Sequence, residues 1–160
     1  MSSGRHNKSL MADPKLRLGK SEYERLAAFR YTLRRFLSFS KAAAGEMGLA
    51  PQQYQALLAV KGYPGREVVT INELAHQLLI KHNSAVGLVD RLEGEGLVAR
   101  QTAVDDRRKV NVRLTAKGSR VFQKLAAANR LELQRVGPEL SGFLAYFSRQ
   151  GGARPRGLDK

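Results

Sequence analysis

The sequence predicts a mostly α-helical fold carrying one small β-hairpin, and three observations predict it. Apolar residues recur at spacings of three and four through most of residues 21–148. Ser or Thr followed three residues later by Glu, with glycines and prolines between the periodic runs, supplies helix starts and stops. One stretch behaves differently: Val110-x-Val112-x-Leu114 alternates with a period of two, directly behind the charged turn "DDRRK".

The elements follow in order. Ser21 and Glu24 read as a capping box, and Leu26, Phe29, Leu33, Phe36, Leu37 and Ser40 continue a helix over residues 21–45. It should stop near Gly45 or Gly48, where glycine admits a left-handed cap. Tyr23, Ala27, Tyr31 and Leu37 make more than one of its faces apolar, which calls for more than one packing partner. Pro51 suits a first helical position, with Leu57, Leu58 and Val60 behind it; "KGYPGRE" is a turn and "VVT" at most a short strand. Thr70 and Glu73 form a second capping box, opening a helix over residues 71–79 that buries Ile71, Leu74, Ala75 and Leu78. After "KHN" a helix over residues 83–95 turns Ala85, Leu88, Val89 and Leu92 inward and ends at Gly94 or Gly96. "LVARQ" and "VNVRL" are the two strands, joined by "TAVDDRRK". Thr115 caps a last long helix, which Gly137-Pro138 is expected to break, leaving "ELSGFLAYF" as a separate final helix.

Composition narrows the function. The 160 residues contain no cysteine, which excludes disulfides and cysteine metal sites and fits a reducing cytoplasm. Apolar runs fall far short of the ~20 residues a spanning helix needs, so no membrane is expected as a partner. Twenty-eight Lys and Arg against 14 Asp and Glu leave a net charge of +14. Part of it lies in residues 1–20, read as a flexible basic arm, and in residues 149–160, read as a disordered basic tail. The remaining excess sits in the body and points to a polyanion, nucleic acid before an anionic lipid surface. No nucleophile–base pair, phosphate-cradling glycine loop or metal cluster stands out, so neither an enzyme nor a cofactor or metal is expected.

The helices 71–79 and 83–95, joined by about three residues, form a helix-turn-helix, whose second helix enters the major groove by its first turn. Here that turn is Lys81, His82, Asn83 and Ser84: a cation, a switchable ring, an amide able to bond adenine twice, and a hydroxyl. A basic hairpin behind a helix-turn-helix makes a winged helix. In its tip Asp106 is placed to hold Arg108 in one rotamer, with Arg107 and Lys109 adding phosphate contacts.

Residues Thr70 to Gly118 resemble the core of MarR-type transcriptional regulators, through "ELA", "LVDRLEGEGLV", the "DDRR" wing and "LTAKG". "GLAPQQYQALLAV" and the flanking helices extend the resemblance over roughly residues 20–148. It implies a homodimer joined through residues 21–48 and 115–148, with residues 49–114 as a winged helix-turn-helix DNA-binding lobe reading one half of a pseudo-palindromic duplex. It implies a repressor released by a small aromatic or phenolic ligand, for which Arg30, Tyr31 and Tyr54 are the pocket candidates; singly, the tyrosines read as packing residues and Arg30 as a surface cation. Where many members carry Thr-Arg before the "LVDRL" run, this chain has Val86-Gly87. The competing readings are an architectural, largely non-specific DNA binder and a winged helix used only for protein contacts.

Overall fold

A computed structural model describes residues 17–150. Most of the basic arm and of the basic tail therefore lies outside the described residues. In chain order the elements are α1 (Lys20–Glu46), α2 (Pro51–Lys61), β1 (Val68–Thr70), α3 (Ile71–Leu78), α4 (His82–Gly94), β2 (Val98–Thr102), β3 (Val110–Leu114) and α5 (Ala116–Gln150). No helix among the described residues is long and apolar enough to cross a membrane.

The chain divides into two compact units, one made of the segments up to Arg35 and from Val136 on, the other of Phe36–Arg135. The second unit holds the main core. Leu57 and Val60 of α2, Leu74 of α3, Leu88, Val89 and Leu92 of α4, and Val69, Val98 and Val112 of the strands are all buried. Tyr54 stacks on Phe122 at 6.3 Å between ring centroids. The sheet is antiparallel in the order β1-β3-β2, with Val69 and Arg100 flanking Val112 from either side. The short run "VVT" is thus a third strand; at three residues it carries too little periodicity to be told from a loop, and only its pairing with β3 defines it.

The caps explain where the helices sit. At α3 the box is as expected: Glu73 N–H donates to Thr70 Oγ1 at 3.2 Å, and Thr70 N–H donates to Glu73 Oε2 at 2.8 Å. At α1 it is not. The helix starts at Lys20, and Gly19 N–H donates to Glu22 Oε2 at 2.8 Å, so Glu22 takes the part assigned to Glu24, while Gly19 has no hydroxyl to take that of Ser21. The two registers overlap by two residues, and starting earlier gains part of a helical turn. At the far end Gly48 is left-handed (φ 74°), and Leu49 N–H donates to Ala44 O at 2.9 Å, the bond pattern of a glycine-terminated helix.

The expected break at Gly137-Pro138 is absent: α5 runs unbroken from Ala116 to Gln150. A mid-helix proline forfeits one backbone bond and costs about 3 kcal/mol. Packing within the first unit offsets it. Val136 is buried, Thr32 Oγ1 donates to Glu139 Oε1 at 2.8 Å, Phe143 meets Phe29 edge-on at 6.1 Å, and the Arg25 guanidinium lies 4.1 Å over the Tyr146 ring.

Candidate nucleic-acid interface

Helices α3 and α4 meet at a tight turn. Leu79 ends α3 in the left-handed conformation (φ 55°), and Ile80 N–H donates back to Ala75 O at 3.0 Å. Leu79 throws its side chain outward, 90% exposed, while Ile80 returns to pack against the core. Lys81 is the N-cap of α4, so the helix begins at His82, one residue before the sequence reading placed it. Lys81, His82, Asn83 and Ser84 are all exposed, and Ala85, Leu88, Val89 and Leu92 hold the opposite side of the helix in the core. The amphipathic spacing therefore does the positioning: burying one stripe leaves the first turn facing outward.

The wing is built from β2, β3 and the loop between them. Ala103 N–H donates to Lys109 O at 3.0 Å and Lys109 N–H to Asp106 O at 2.9 Å, closing the tip. Asp106 Oδ1 accepts from the Arg108 backbone N–H at 3.0 Å and from its Nε at 3.4 Å. The Arg108 side chain is 93% exposed, so the carboxylate aims it without burying it. Arg107 is exposed beside it. A groove of about 300 Å³ opens between the start of α3, the start of α4 and the wing, and His82, Arg108 and Lys109 line it together with Asn72. In that groove His82 Nδ1 lies 2.7 Å from Asn72 Oδ1.

Two residues that shape this face are not evident from the sequence alone. Arg100 of β2 bonds Asp90 Oδ1 at 2.5 Å and also pairs with Glu93, tying the wing strand to α4. The Arg100 backbone N–H and then its guanidinium hold the Glu93 carboxyl below its ordinary range. Asn72 is the second; its place at the opening of α3, beside the start of α4, is the signal that would have found it. Near the same corner, burial pushes Glu73 up, but the Thr70 N–H, Arg66 and the Thr70 hydroxyl outweigh it and the carboxyl ends below its usual value.

Gly87 faces open space on α4: a Cβ there would meet nothing nearer than Arg91 Nη1, at 3.9 Å. Gly87→Ala is therefore expected to stabilise the protein by about 1 kcal/mol, the helix-propensity difference. Urea unfolding followed by circular dichroism reads this directly; a lower midpoint would mean that the site needs a bare backbone.

The three candidates for an effector pocket are placed differently. Tyr54 belongs to the core of the Phe36–Arg135 unit, 5% exposed, and burial pushes its phenol up. Arg30 and Tyr31 are exposed positions of α1 in the other unit, where Arg35 lies 5.8 Å from the Tyr31 ring.

A buried helix pair that offers a polar first turn beside an arginine-bearing hairpin defines a winged helix-turn-helix protein. Comparison with known proteins agrees. The MarR family model matches residues 47–109. An uncharacterised HTH-type transcriptional regulator of Bacillus subtilis, YfiV, is 34% identical over 65 residues, 41% of each chain. The HTH-type transcriptional repressor MdtR of the same organism is 28% identical over 90 residues, 56% of each chain. The matches thus span about half the length of these relatives. Among solved structures, AbsC, a MarR family transcriptional regulator from Streptomyces coelicolor, superposes with a TM-score of 0.65 at 20% identity, over 78% of this chain and 83% of its own. BpsR of Bordetella bronchiseptica, described with the regulation of its DNA binding by 6-hydroxynicotinic acid, gives 0.58 at 19% identity, over 78% and 90%. The family model thus covers the stretch from just after α1 to the tip of the wing, and the solved structures share the fold.

Proposed function

We propose that this protein is a homodimeric, sequence-specific DNA-binding repressor. The observation that carries the reading is the shared groove, in which His82 of the first turn of α4 meets Arg108 and Lys109 of the wing. Lys81, His82, Asn83 and Ser84 enter the major groove, and Arg108, with Arg107 and Lys109, takes the adjoining backbone and minor groove. Dimerisation is supported by large apolar side chains left exposed on the terminal helices: Tyr23, Leu33, Leu37 and Phe39 on α1, and Leu131, Leu133 and Leu144 on α5. Two lobes then read half-sites about one DNA turn, roughly 34–36 Å, apart. Repression is supported by the likeness to MdtR.

A small aromatic or phenolic anion is the effector class we assign, supported by the likeness to BpsR. It acts by population shift: a ligand that prefers the dimer with its lobes wrongly spaced removes it from DNA by that difference in affinity.

Fluorescence anisotropy on DNA from the region upstream of its own gene, against a scrambled duplex and over a range of salt, tests the reading. A regulator prefers its site by about 10³ or more at physiological salt. Equal binding to both duplexes, falling steeply with salt, would favour the architectural reading, in which only phosphates are contacted.

A further inference from the structure

His82 makes its one hydrogen bond among the described residues through Nδ1, to Oδ1 of Asn72 at 2.7 Å. An amide oxygen only accepts, so Nδ1 carries the ring proton and, in the neutral ring, Nε2 is a bare acceptor. Asn72 can hold this arrangement because it sits in the first turn of α3, where the Thr70–Glu73 box fixes the backbone. The charged groups facing the ring are Arg108 and Lys109 from the wing, and Lys81 precedes it at the N-cap of α4. Thr70, Ile71 and Val110, which complete the groove, are neutral, and Glu73 on α3 is engaged by Thr70 and Arg66. No carboxylate lines the groove among the described residues.

An acceptor has no use for a phosphate oxygen, nor for N7 and O6 of guanine. Its major-groove partners are the exocyclic amino groups, N6 of adenine and N4 of cytosine. We propose that Asn72 and His82 form a specificity-determining pair, in which Asn72 positions His82 in the Nδ1–H tautomer and His82 Nε2 reads an adenine or cytosine amino group in each half-site. This rests on the DNA-binding reading above. Acid converts the ring to a donor at both nitrogens, so the same position then turns toward guanine.

Site selection from a randomised duplex pool tests this with the full chain, at about pH 8 and about pH 5.5, either side of the imidazole range. At the higher pH the wild-type site contains one column per half-site restricted to adenine or cytosine, and replacing that base pair weakens binding about 5- to 100-fold. Asn72→Ala, a change at an exposed helical position, randomises that column alone. At that pH Asn72→Asp restores it, because the carboxylate again accepts from Nδ1, and its column moves toward guanine at a higher pH than the wild type's, because the carboxylate favours the charged ring. At the lower pH the wild-type column moves toward guanine and the His82→Gln column does not, while His76→Gln behaves as wild type. The pair is refuted if Asn72→Ala keeps every column at both pH values, or loses them all together as a merely structural residue would. A wild-type protein that enriches no site at either pH sinks the regulator reading itself, which separates the two failures.

Discussion

Gly118→Ala is expected to destabilise the protein by about 3 kcal/mol, lowering its melting temperature by roughly 10 °C. Thr115 caps α5 by accepting from Gly118 N–H at 3.0 Å while donating to Gly96 O at 2.6 Å, and Thr115 N–H donates to Leu97 O at 3.0 Å. These bonds draw the first turn of α5 onto the corner between α4 and β2. A Cβ at Gly118 would stand 1.9 Å from Leu97 O and 2.8 Å from its carbonyl carbon. The obstacle is backbone, which cannot rotate aside. Alanine's helical advantage of about 1 kcal/mol is too small to offset the clash. Thermal unfolding by circular dichroism checks the sign against Gly87→Ala, the same substitution with the opposite expected outcome. A Gly118→Ala protein as stable as wild type would show that the corner opens without cost.

Arg108→Ala is expected to weaken binding to the operator by about 1–3 kcal/mol, roughly 5- to 150-fold, with the melting temperature almost unmoved. The stability half follows from exposure: a side chain 93% open to solvent supports little of the fold. The affinity half follows from aim. The Asp106 carboxylate holds Nε and leaves the rest of the fork for DNA. Arg108→Lys separates two uses of that charge. A point charge on phosphate would be largely rescued by lysine, whereas a planar fork in a narrow minor groove would not. Anisotropy with salt titration reads both; unchanged affinity in Arg108→Ala would remove the wing from the mechanism.

Much of this arrangement is legible in the sequence, and the reason is range. The Thr70–Glu73 box, the proline at the start of α2, the buried stripe of α4 and the Asp106–Arg108 contact all lie within a few residues of chain, where periodicity and capping chemistry decide. The start of α1 shows the limit of that reasoning, since "GKSEYE" offers two overlapping caps and local chemistry alone does not choose between them. Pro138 shows a second limit, where a strong local stop signal yields to distant contacts such as Thr32 with Glu139. The Asn72–His82 and Arg100–Asp90 contacts each join two different elements ten residues apart, and no spacing rule reports them. They become visible only when the turn and the hairpin are folded.

The Arg100 clasp has a consequence for anyone redesigning the binding preference. With one guanidinium gripping two carboxylates of α4 from β2, the helix and the hairpin behave as a single tool rather than two independent probes. Swapping only the bases-facing residues keeps the tool's angle. Swapping the whole helix discards Asp90 and Glu93, and with them this tie between α4 and β2, unless both acids travel with it.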